Sequence, residues 1–555
     1  GASGAVSSGA VSSGGACLRR LSAASTPASA LLHRRDLSSN GRPAGIVHLG
    51  LGNFHRAHQA VHTAAALAAE DGPWGILGVA SHSATVADAL REQELRYAVV
   101  ELSPSASRIV VPAVHTDALV AGREPEAVLT ALAAPGTRIV TLTVTEHGYT
   151  FSPRTGSLDV DHPDVRADLR GDSPPRTTVG LIVRGLQRRA RAGAAPITVL
   201  SCDNLVSNGA TTARMVNEFA AALPAHEYAE LAPYLTTVTF PNSMVDRIVP
   251  ATTDTYRDAV AAQLGVRDAI PVPAEPFSMW VIEDTFAAGR PAWERGGARF
   301  AADVGPYELL KLRLLNGTHS MIAYLGALDG AATIPEAIAR PAVRGAAERV
   351  LRAEFLPTVP VPADIDVDEY IRQLFERWAN SALGHRTTQV GSDGSVKLAQ
   401  RVPEPALARL AAGRMPHHLA LTVAGYLCCV APPDGFDPGP HAAAMTDPAR
   451  RHLVPLSSSG AGRAGSGAGS PAGSGVGSGS GSGSRGFVRA ALGTGLLGAE
   501  LAVHEGFTAR VAEFVDVLIR HGVGAAAREA ASATELAVAR SPVRDAPAAR
   551  PDQTR

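Results

Sequence analysis

The sequence predicts an α/β N-terminal Rossmann-type dinucleotide-binding domain, followed by a mostly α-helical C-terminal domain. Three observations support this fold class. Short β-branched runs alternate with helical patterns up to about residue 300, which is typical of a parallel sheet covered by helices. A glycine turn follows the first of these runs and precedes a helical pattern. Beyond about residue 300, helical patterns dominate.

The strands of the first domain are expected to be short and buried. The run 46–49 precedes the glycine turn, and the runs 74–80, 138–146 and 196–204 have the same apolar character. Helical patterns such as ATVADALREQ and EPEAVLTALAA lie between them. This alternation predicts the crossover connections of a parallel sheet.

The chain is expected to divide into three segments. Residues 1–42 are rich in Ser, Ala and Gly and predict a disordered tail, with a transit peptide as the alternative. Residues 43–300 form the Rossmann-type domain and residues 301–555 the helical domain. The run 457–486 consists almost entirely of Gly, Ser and Ala, which predicts a flexible insertion. The helical patterns of the second domain lie at 307–326, 335–355, 366–380, 404–412, 416–430, 487–495 and 506–532.

The composition narrows the class of partner. Apolar residues make up 45% of the chain and the net charge is −1, so the basic excess expected of a nucleic-acid or anionic-membrane partner is absent. None of the 4 cysteines forms a C-x-x-C pair, which argues against a zinc cluster and favours a cytoplasmic protein. No apolar run reaches the roughly 18 residues of a membrane span.

The glycine turn, GLGNFHR, places Gly50 and Gly52 directly after a predicted strand. The first glycine permits the tight turn, and the second lets a pyrophosphate approach the backbone. The third glycine of the G-x-G-x-x-G fingerprint is replaced by His55, so a tight turn without a ligand is the alternative. The segment SHSAT after the second predicted strand offers neither a carboxylate for a ribose hydroxyl nor an arginine for a 2′-phosphate. The choice between NAD and NADP is therefore poorly specified.

The helix predicted at 307–326 carries polar residues inside an apolar pattern. At about 100° per residue, Asn316 and His319 lie within half a turn of Lys311, so the three side chains can point into one cleft. Burying an amine and an amide without partners costs several kcal/mol, which argues against the alternative of a solvated surface face. A desolvated lysine can accept the proton of an alcohol, and Asn and His can hold the developing oxyanion. With a dinucleotide turn, this pattern predicts a zinc-independent alcohol or polyol dehydrogenase in which Glu308 relays the proton.

The sequence resembles the polyol-specific long-chain dehydrogenases, the mannitol 2-dehydrogenase family. The resemblance runs in the family's order from about residue 45 to about residue 400. The pattern K-x4-N-x2-H that begins at Lys311 is its most specific part. The matching segments are GIVHLGLGNFHRAHQA, TLTVTEHGY, SCDNLVSNG, FPNSMVDRIVP, IEDTFAAGRPAWE, KLRLLNGTHS and DGSVKLAQR.

The resemblance implies a role for each candidate residue, with the site between the two domains. Lys311 is the expected catalytic base, and Glu308 gates or relays the proton. The pair that stabilises the oxyanion is expected to be Asn204 and Asn316. The substrate contacts are expected to be His319, Asp246 and Lys397. The residues expected to hold NAD are Gly50, Gly52, Phe54, Arg56 and, at a strand end, Glu146.

One departure concerns the substrate. Eight residues before Lys397, where some mannitol dehydrogenases carry Arg, this chain has Gln389 at the corresponding substrate-binding position. The segment HRTTQVGSDGSVKLAQR is more similar to the fructuronate reductase branch of the family.

The expected function is metal-independent oxidation of D-mannitol to D-fructose with NAD, NADP not being excluded. The alternatives are fructuronate reduction to D-mannonate and oxidation of mannitol 1-phosphate. A catalytically silent nucleotide- or sugar-binding sensor is the alternative outside enzymes. The family further implies a monomer whose only partner is a small polyol or sugar acid.

Overall fold

A parallel sheet forms the centre of the N-terminal half of the chain. The computed structural model describes residues 18–32, 44–144, 146–152, 156–458 and 481–539. These residues divide into two units at Val304 and Gly305. The strands of the first unit are β1 (Ala44–Leu49), β2 (Gly75–Ala80), β3 (Val99–Leu102), β4 (Ser107–Val110), β5 (His115–Val120), β6 (Ile139–Leu142), β7 (Thr198–Ser201), β8 (Ser243–Asp246), β9 (Val272–Ala274), β10 (Met279–Glu283) and β11 (Arg299–Ala301).

The central sheet has five parallel strands in the order β5-β2-β1-β6-β7. The chain moves outward from β1 through β2 to β5 and then returns to the other side of β1 with β6. Such a reversal of strand order is where open α/β sheets bind their ligands, outside the carboxyl ends of the strands. Two three-stranded sheets, β11-β10-β8 and β4-β3-β9, complete this unit.

Helices cover the central sheet on both faces, so that most residues of its strands are buried. Neighbouring residues of β1 point to opposite faces: Val47 belongs to one buried cluster with Leu129, and Ile46 belongs to another with Trp280. The α-helices of this unit are α1 (Asn53–Ala57), α2 (Gln59–Ala69), α3 (Thr85–Glu92), α4 (Pro125–Ala133), α5 (Pro163–Arg170), α6 (Thr178–Arg191), α7 (Asn208–Ala221), α8 (Ala225–Leu235) and α9 (Asp254–Leu264). Its 3₁₀ helices are Glu146–Tyr149 and Trp293–Gly296.

The second unit is helical, as the sequence predicts. Its α-helices are α10 (Gly305–Leu310), α11 (Thr318–Leu328), α12 (Ile334–Ala339), α13 (Pro341–Arg349), α14 (Val367–Trp378), α15 (Thr387–Gly391), α16 (Gly394–Arg401), α17 (Pro403–Ala411), α18 (His417–Val430), α19 (Pro440–Ala443), α20 (Arg450–Ser458), α21 (Gly481–Gly493), α22 (Ala499–Ala502) and α23 (Glu505–Ala539). Short 3₁₀ helices lie at Leu356–Thr358 and Ser381–Leu383, and π-helices lie at Lys311–Gly317 and Val350–Phe355. Along the described part of the chain, no helix is both long and apolar enough to cross a membrane.

The prediction of a disordered tail over 1–42 is wrong for residues 18–32. Leu21 is fully buried, and its backbone N–H donates to the carbonyl of Arg267 at 2.8 Å. The N–H of Val111 likewise donates to the carbonyl of Ala30 at 2.8 Å. One buried leucine and a few backbone bonds are enough to hold this segment, although its composition is that of a tail. The rest of the predicted tail lies outside the described residues.

The predicted insertion 457–486 is helical at both ends. Helix α20 ends at Ser458 and helix α21 begins at Gly481, while 459–480 lies outside the described residues. Phe487 and Val488 are buried further along α21, and the Ser484 hydroxyl donates to a carboxylate oxygen of Asp516 at 2.6 Å. Packing of these apolar residues therefore extends a helix into glycines and serines that have low helix propensity.

Candidate functional site

The glycine turn follows β1 at the point where the strand order reverses. Gly50 has φ +105°, and a Cβ atom there would lie 2.0 Å from the carbonyl oxygen of Thr143. Gly52 precedes α1, and the nearest atom to a Cβ built on it is the carbonyl oxygen of Gly50 at 3.8 Å. The first glycine is therefore required by the backbone itself. The second leaves open space before the N–H groups of a helix start, which fits a dinucleotide pyrophosphate.

A buried histidine supports this turn from below. His48 Nε2 lies 3.0 Å from the carbonyl oxygen of Gly50 and 2.9 Å from the hydroxyl of Thr143, and its Nδ1 lies 2.8 Å from the hydroxyl of Thr141. The Thr143 hydroxyl also donates to the Gly50 carbonyl at 2.8 Å. Burial lowers the pKa of His48 to about 3, so the imidazole is neutral. The Gly50 carbonyl is thus held by uncharged donors.

His55, which replaces the third fingerprint glycine, belongs to the same support. Its ring stacks on His48 with the centroids 3.4 Å apart, and its Nε2 lies 3.1 Å from Nε2 of His115. Burial lowers the pKa values of His55 and His115, that of His115 to about 3. A third glycine normally allows close packing of helix and strand. Here the space between α1 and the sheet is filled by stacked imidazoles instead.

Arg56 and Phe54, the other two residues near the turn that are predicted to bind the nucleotide, make contacts within the protein. Arg56 is buried, and its guanidinium donates to the carbonyl of Ile270 at 2.5 Å and to Asn53 Oδ1 at 2.7 Å. Burial lowers its pKa to about 10, so it stays charged. Phe54 is partly buried and stacks on His58 with ring centroids 5.0 Å apart. These contacts fix α1 behind the turn.

The predicted strand at 138–146 is shorter than expected, so Glu146 does not end a strand. Strand β6 stops at Leu142, and Glu146 begins a 3₁₀ helix. The backbone N–H of Val144 donates to a carboxylate oxygen of Asp203 at 2.7 Å. That side-chain acceptor takes the place of a strand neighbour, and the chain leaves the sheet.

Asn204 and Asp246 are linked through a residue that the sequence analysis did not select. Asn204 is exposed in the bend after β7, and Asp246 is buried at the end of β8. Between them, the side chain of Asn208 donates to the carbonyls of Asp203 at 3.0 Å and Ser243 at 2.7 Å, and its oxygen accepts from the N–H of Ser243 at 2.9 Å. Asn208 therefore ties the bend that carries Asn204 to the strand that carries Asp246.

The neighbouring Arg247 anchors the end of β8 through its side chain. It is buried, and its guanidinium donates to the carbonyls of Ala57 at 2.5 Å and Glu275 at 2.9 Å and to a Glu101 carboxylate oxygen at 2.9 Å. Arg247 thus connects β8 with α1 and β3.

In the second unit, Lys311 and Asn316 lie on a π-helix rather than on the predicted α-helix. The π-helix Lys311–Gly317 joins α10, which carries Glu308, to α11, which carries His319. Because π-helices bond i to i+5, the α-helical angles predicted between these residues do not apply. Lys311, Asn316 and Glu308 are all partly buried. Single π-turns within helices occur frequently at functional sites.

The π-helix is anchored on both sides. A Cβ atom at Gly317 would lie 2.4 Å from the ring of Phe355, which belongs to the second π-helix. Arg313 is buried and donates to the carbonyl of Thr358 and, at 2.7 Å, to a carboxylate oxygen of Glu404. The segment is therefore held in its unusual geometry by packing and by a charged hydrogen bond.

Arg401, another residue that the sequence analysis did not select, contacts the backbone at Asn316. Its guanidinium donates to the carbonyl oxygen of Asn316 at 3.0 Å and to the hydroxyl of Ser320 at 2.8 Å. Burial lowers its pKa to about 10, which leaves it protonated. Among the described residues, none forms a hydrogen bond with the side-chain amide of Asn316. Arg401 thus holds the backbone and leaves the amide available to a ligand.

His319 is a neutral imidazole with an unused nitrogen. Its Nε2 atom is buried and has no hydrogen-bond partner in the part of the chain that the structure describes. Burial lowers its pKa well below 6.5, and the positive charges of Arg401, Arg377 and Lys397 and the imidazole of His385 lower it further. A buried polar atom without a partner is costly, so this nitrogen fits a ligand hydroxyl or oxyanion.

Lys397 links two short helices next to His319. Its amine donates to the carbonyls of Ser392 at 2.7 Å and Val390 at 3.2 Å, at the end of α15. Burial lowers its pKa, and Arg401 one turn further along α16 lowers it as well. Gln389 lies on α15 and is exposed.

The whole sequence contains only two lysines, and both are predicted site residues. Lys311 and Lys397 stand among 51 basic residues, the other 49 being arginines. An arginine supplies positive charge but does not deprotonate in proteins, whereas an amine does so when it is desolvated. Of these two lysines, Lys311 is the predicted base and Lys397 is a predicted substrate contact.

Two family models match the chain over most of its length. The model described as "Mannitol dehydrogenase Rossmann domain" matches residues 44–295, and "Mannitol dehydrogenase C-terminal domain" matches residues 303–450. Among curated proteins, the chain is 42% identical over 387 residues to D-mannonate oxidoreductase of Escherichia coli (strain K12), covering 69% of this chain and 79% of that protein. It is 38% identical over 395 residues to mannitol 2-dehydrogenase of Pyrenophora tritici-repentis (strain Pt-1C-BFP), covering 70% and 69%.

Solved structures agree in fold. The mannitol 2-dehydrogenase of Pseudomonas fluorescens, in a ternary complex with NAD and D-mannitol, matches with a TM-score of 0.75 at 30% identity, covering 92% of this chain and 99% of that one. A D-sorbitol dehydrogenase in substrate-free form matches with a TM-score of 0.76 at 28% identity, covering 92% and 100%. The predicted fold class is confirmed.

Proposed function

Because the chain belongs to the mannitol dehydrogenase family, we propose that it is an NAD-dependent dehydrogenase that interconverts a polyol and a ketose. The observation that carries the proposal is the placement of Lys311, one of two lysines in the sequence, on a π-helix that also carries Asn316 and leads into His319. An amine, an amide and an unpaired imidazole nitrogen together can take a proton from an alcohol and hold its oxygen.

The cofactor fits the first unit. Gly50 and Gly52 would hold the pyrophosphate, with Phe54, Arg56 and Glu146 proposed to support the nucleotide. When bound, NAD accepts the hydride from the alcohol carbon. The open space at Gly52 and the N-terminus of α1, which no side chain among the described residues caps, are the observations that support this fit.

The protein's own residues handle the proton. Lys311 accepts the proton of the reacting hydroxyl, and Glu308 passes it towards solvent. Asn316 and Asn204 donate amide hydrogens to the substrate oxygen as negative charge develops there, and His319 donates from its buried Nε2. Donors fixed in advance stabilise such charge more than water does. No step requires a metal ion.

D-Mannitol is the first candidate substrate. The solved neighbour in complex with NAD and D-mannitol and the mannitol 2-dehydrogenases among the relatives support it. Asp246, Lys397 and Gln389 would then contact the hydroxyls distant from the reacting carbon. Mannitol 1-phosphate is the phosphorylated alternative.

A sugar acid, D-mannonate, is the second candidate, and the charge around His319 favours it. Arg401, Arg377 and Lys397 all contribute positive charge at this imidazole. Cations that are partly removed from water attract a carboxylate more strongly than a neutral hydroxyl. The relative that is 42% identical carries the name D-mannonate oxidoreductase, which supports the same substrate.

The test is oxidation of NADH by the purified protein with fructose, fructuronate and fructose 6-phosphate in parallel, followed by nicotinamide absorbance. Turnover with fructose alone supports D-mannitol as the natural product, and turnover with fructuronate supports D-mannonate. NADH binding without turnover of any of the three would favour a nucleotide-binding sensor instead. We further propose a cytoplasmic monomer, to be tested by light scattering and cell fractionation.

A further inference from the structure

The edge of the sheet after β2 lacks the acid that usually selects NAD. In Rossmann-type domains, a carboxylate about 20 residues beyond the glycine fingerprint binds the 2′-hydroxyl of the adenosine ribose. Here β2 ends at Ala80, and the exposed residues that follow are Ser81, His82 and Ser83. They carry hydroxyls and an imidazole, which donate hydrogen bonds to a phosphate.

An arginine reaches this edge from the neighbouring strand. Beyond β5, the N–H of Ala121 donates to the carbonyl of Ala80 at 2.8 Å, and the N–H of Gly122 donates to that of Ser81 at 3.0 Å. A Cβ atom on Gly122 would lie 3.9 Å from Nδ1 of His82. Arg123 follows directly, so it stands beside the segment Ser81–His82–Ser83 although it is about 40 residues away in sequence.

Of the carboxylates near Arg123, that of Asp88 is paired with it. Asp88, on α3, accepts from the Arg123 guanidinium at 3.3 Å. Both side chains are exposed, to 62% and 49%. Exposed pairs of this kind contribute little to stability and exchange readily with water and ions. The guanidinium can therefore turn from one carboxylate to a phosphate dianion, which carries more charge and more acceptor oxygens.

We propose that Ser81, His82, Ser83 and Arg123 form a binding site for the 2′-phosphate of NADP(H), so that the chain binds NADP(H) about as tightly as NAD(H). The proposal depends on the proposed function only in requiring that the glycine turn binds a dinucleotide. The proposal goes beyond that function by naming the residues that discriminate between NAD(H) and NADP(H).

The test compares 2′,5′-ADP with 5′-AMP, which differ by the 2′-phosphate, by isothermal titration calorimetry on the full chain. Three variants are made: Arg123→Ala, which removes the guanidinium; His82→Asp, which places a carboxylate after β2; and Arg191→Ala as a matched control. Arg191 ends α6 and, like Arg123, forms an exposed ion pair, with Glu230 at 3.0 Å.

We expect 2′,5′-ADP to bind at least as tightly as 5′-AMP. Arg123→Ala should weaken the binding of 2′,5′-ADP about 10- to 100-fold, the loss expected for a charged hydrogen bond. It should change the affinity for 5′-AMP by less than about twofold. His82→Asp should weaken the binding of 2′,5′-ADP by a similar factor through repulsion, and Arg191→Ala should leave the ratio of the two affinities unchanged. The ratio of kcat/KM for NADPH to that for NADH should follow the same order.

Two results would overturn the proposal while leaving the dehydrogenase function standing. One is binding of 5′-AMP together with 2′,5′-ADP binding that is 100-fold weaker. The other is an equal loss of affinity for both ligands in Arg123→Ala. That result would mean that the arginine contacts the adenine or supports the fold, and does not bind the 2′-phosphate. Absence of binding for both ligands overturns the nucleotide site itself, and with it the proposed function.

Discussion

The glycine turn of the first unit and the π-helix of the second are supported by opposite kinds of side chain. Beneath the turn, His48, His55 and His115 are buried and neutral. Around the π-helix, the supports are the charged guanidiniums of Arg313 and Arg401. Neutral supports leave the partial charges of the turn and of the α1 start unopposed, which suits an anionic pyrophosphate. Positive supports favour the negative charge that develops on a substrate oxygen during hydride transfer.

The largest expected effect is the loss of kcat when Lys311 is replaced, because this residue must accept a proton as well as carry a positive charge. Lys311→Ala and Lys311→Arg should both lower kcat about 10³-fold or more, because an arginine keeps the charge but cannot accept the proton. NADH binding should remain within about threefold of wild type in both variants. The measurement is steady-state turnover beside NADH fluorescence titration.

Lys397→Arg is the matched control for the other lysine. It keeps a positive charge beside His319, so we expect KM to rise while kcat falls by less than about tenfold. Turnover in Lys311→Arg near that of wild type would contradict the assignment of Lys311 as base.

The second effect distinguishes the role of Gly50 in stability from the role of Gly52 in cofactor binding. Gly50→Ala should destabilise the fold by about 3 kcal/mol or more, because the residue has φ +105° and its Cβ would lie 2.0 Å from a backbone oxygen. Gly52→Ala should leave urea unfolding unchanged, since its Cβ meets nothing closer than 3.8 Å. It should nevertheless weaken NADH about tenfold, because the new methyl occupies the approach of the pyrophosphate. Normal NADH affinity in Gly52→Ala would place the cofactor elsewhere.

The third effect tests the support of the π-helix. Arg401→Met removes the bonds to the Asn316 carbonyl and the Ser320 hydroxyl, and we expect kcat to fall about 10²-fold because displacement of a catalytic group by about 1 Å costs that much. Hydrogen exchange of the backbone amides at 311–321 should become faster, a readout that does not depend on turnover.

Arg409→Met is the control for the loss of a partly buried arginine. Arg409 lies on α17, and its Nε atom, like that of Arg401, is buried without a partner among the described residues. Unchanged exchange at 311–321 in Arg401→Met, or an equal change in Arg409→Met, would show that Arg401 does not hold this segment.

How far the sequence predicts the molecule depends on whether a feature is local. The first strand, the glycine turn and the K-x4-N-x2-H pattern are local, and the family and fold they predict are confirmed. The π-helix was missed because the expected period of 3.6 residues describes only α-helices, although Lys311 and Asn316 were selected by residue type. The packing of Gly317 against Phe355, 38 residues further along the chain, is a tertiary contact that the local pattern does not show.

The supporting residues were missed because their partners are distant in sequence. Arg401 is 85 residues from Asn316, and Asn208 is 35 residues from Ser243. Arg123 was missed for the same reason, since it reaches the end of β2 through the pairing of β2 with β5. A spacing of four residues between Lys397 and Arg401 on one helix was the local signal that could have drawn attention to Arg401.

The smallest expected effect is on the pH dependence of stability. It distinguishes the neutral histidine beneath the turn from the charged arginine at the π-helix. His48 has a native pKa of about 3 against 6.5 when unfolded, so the unfolded chain binds more protons between these values. Stability therefore falls as pH decreases below 6.5, and this residue alone should cost about 2 kcal/mol between pH 7 and pH 5. Arg401 at the π-helix has a pKa of about 10 and keeps its charge throughout this range. We expect urea unfolding of His48→Gln to depend less steeply on pH than that of wild type, by about this amount.

The exposed His82 provides the control for that measurement, since His82→Gln removes an imidazole that is not buried. It should retain the wild-type pH dependence of unfolding. If His48→Gln and wild type lose stability equally between pH 7 and pH 5, His48 is not held neutral beneath the turn. The uncharged support of Gly50 would then have to come from Thr143 alone, whose hydroxyl donates to the same carbonyl. A Thr143→Val variant would in that case weaken NADH binding more than His48→Gln does.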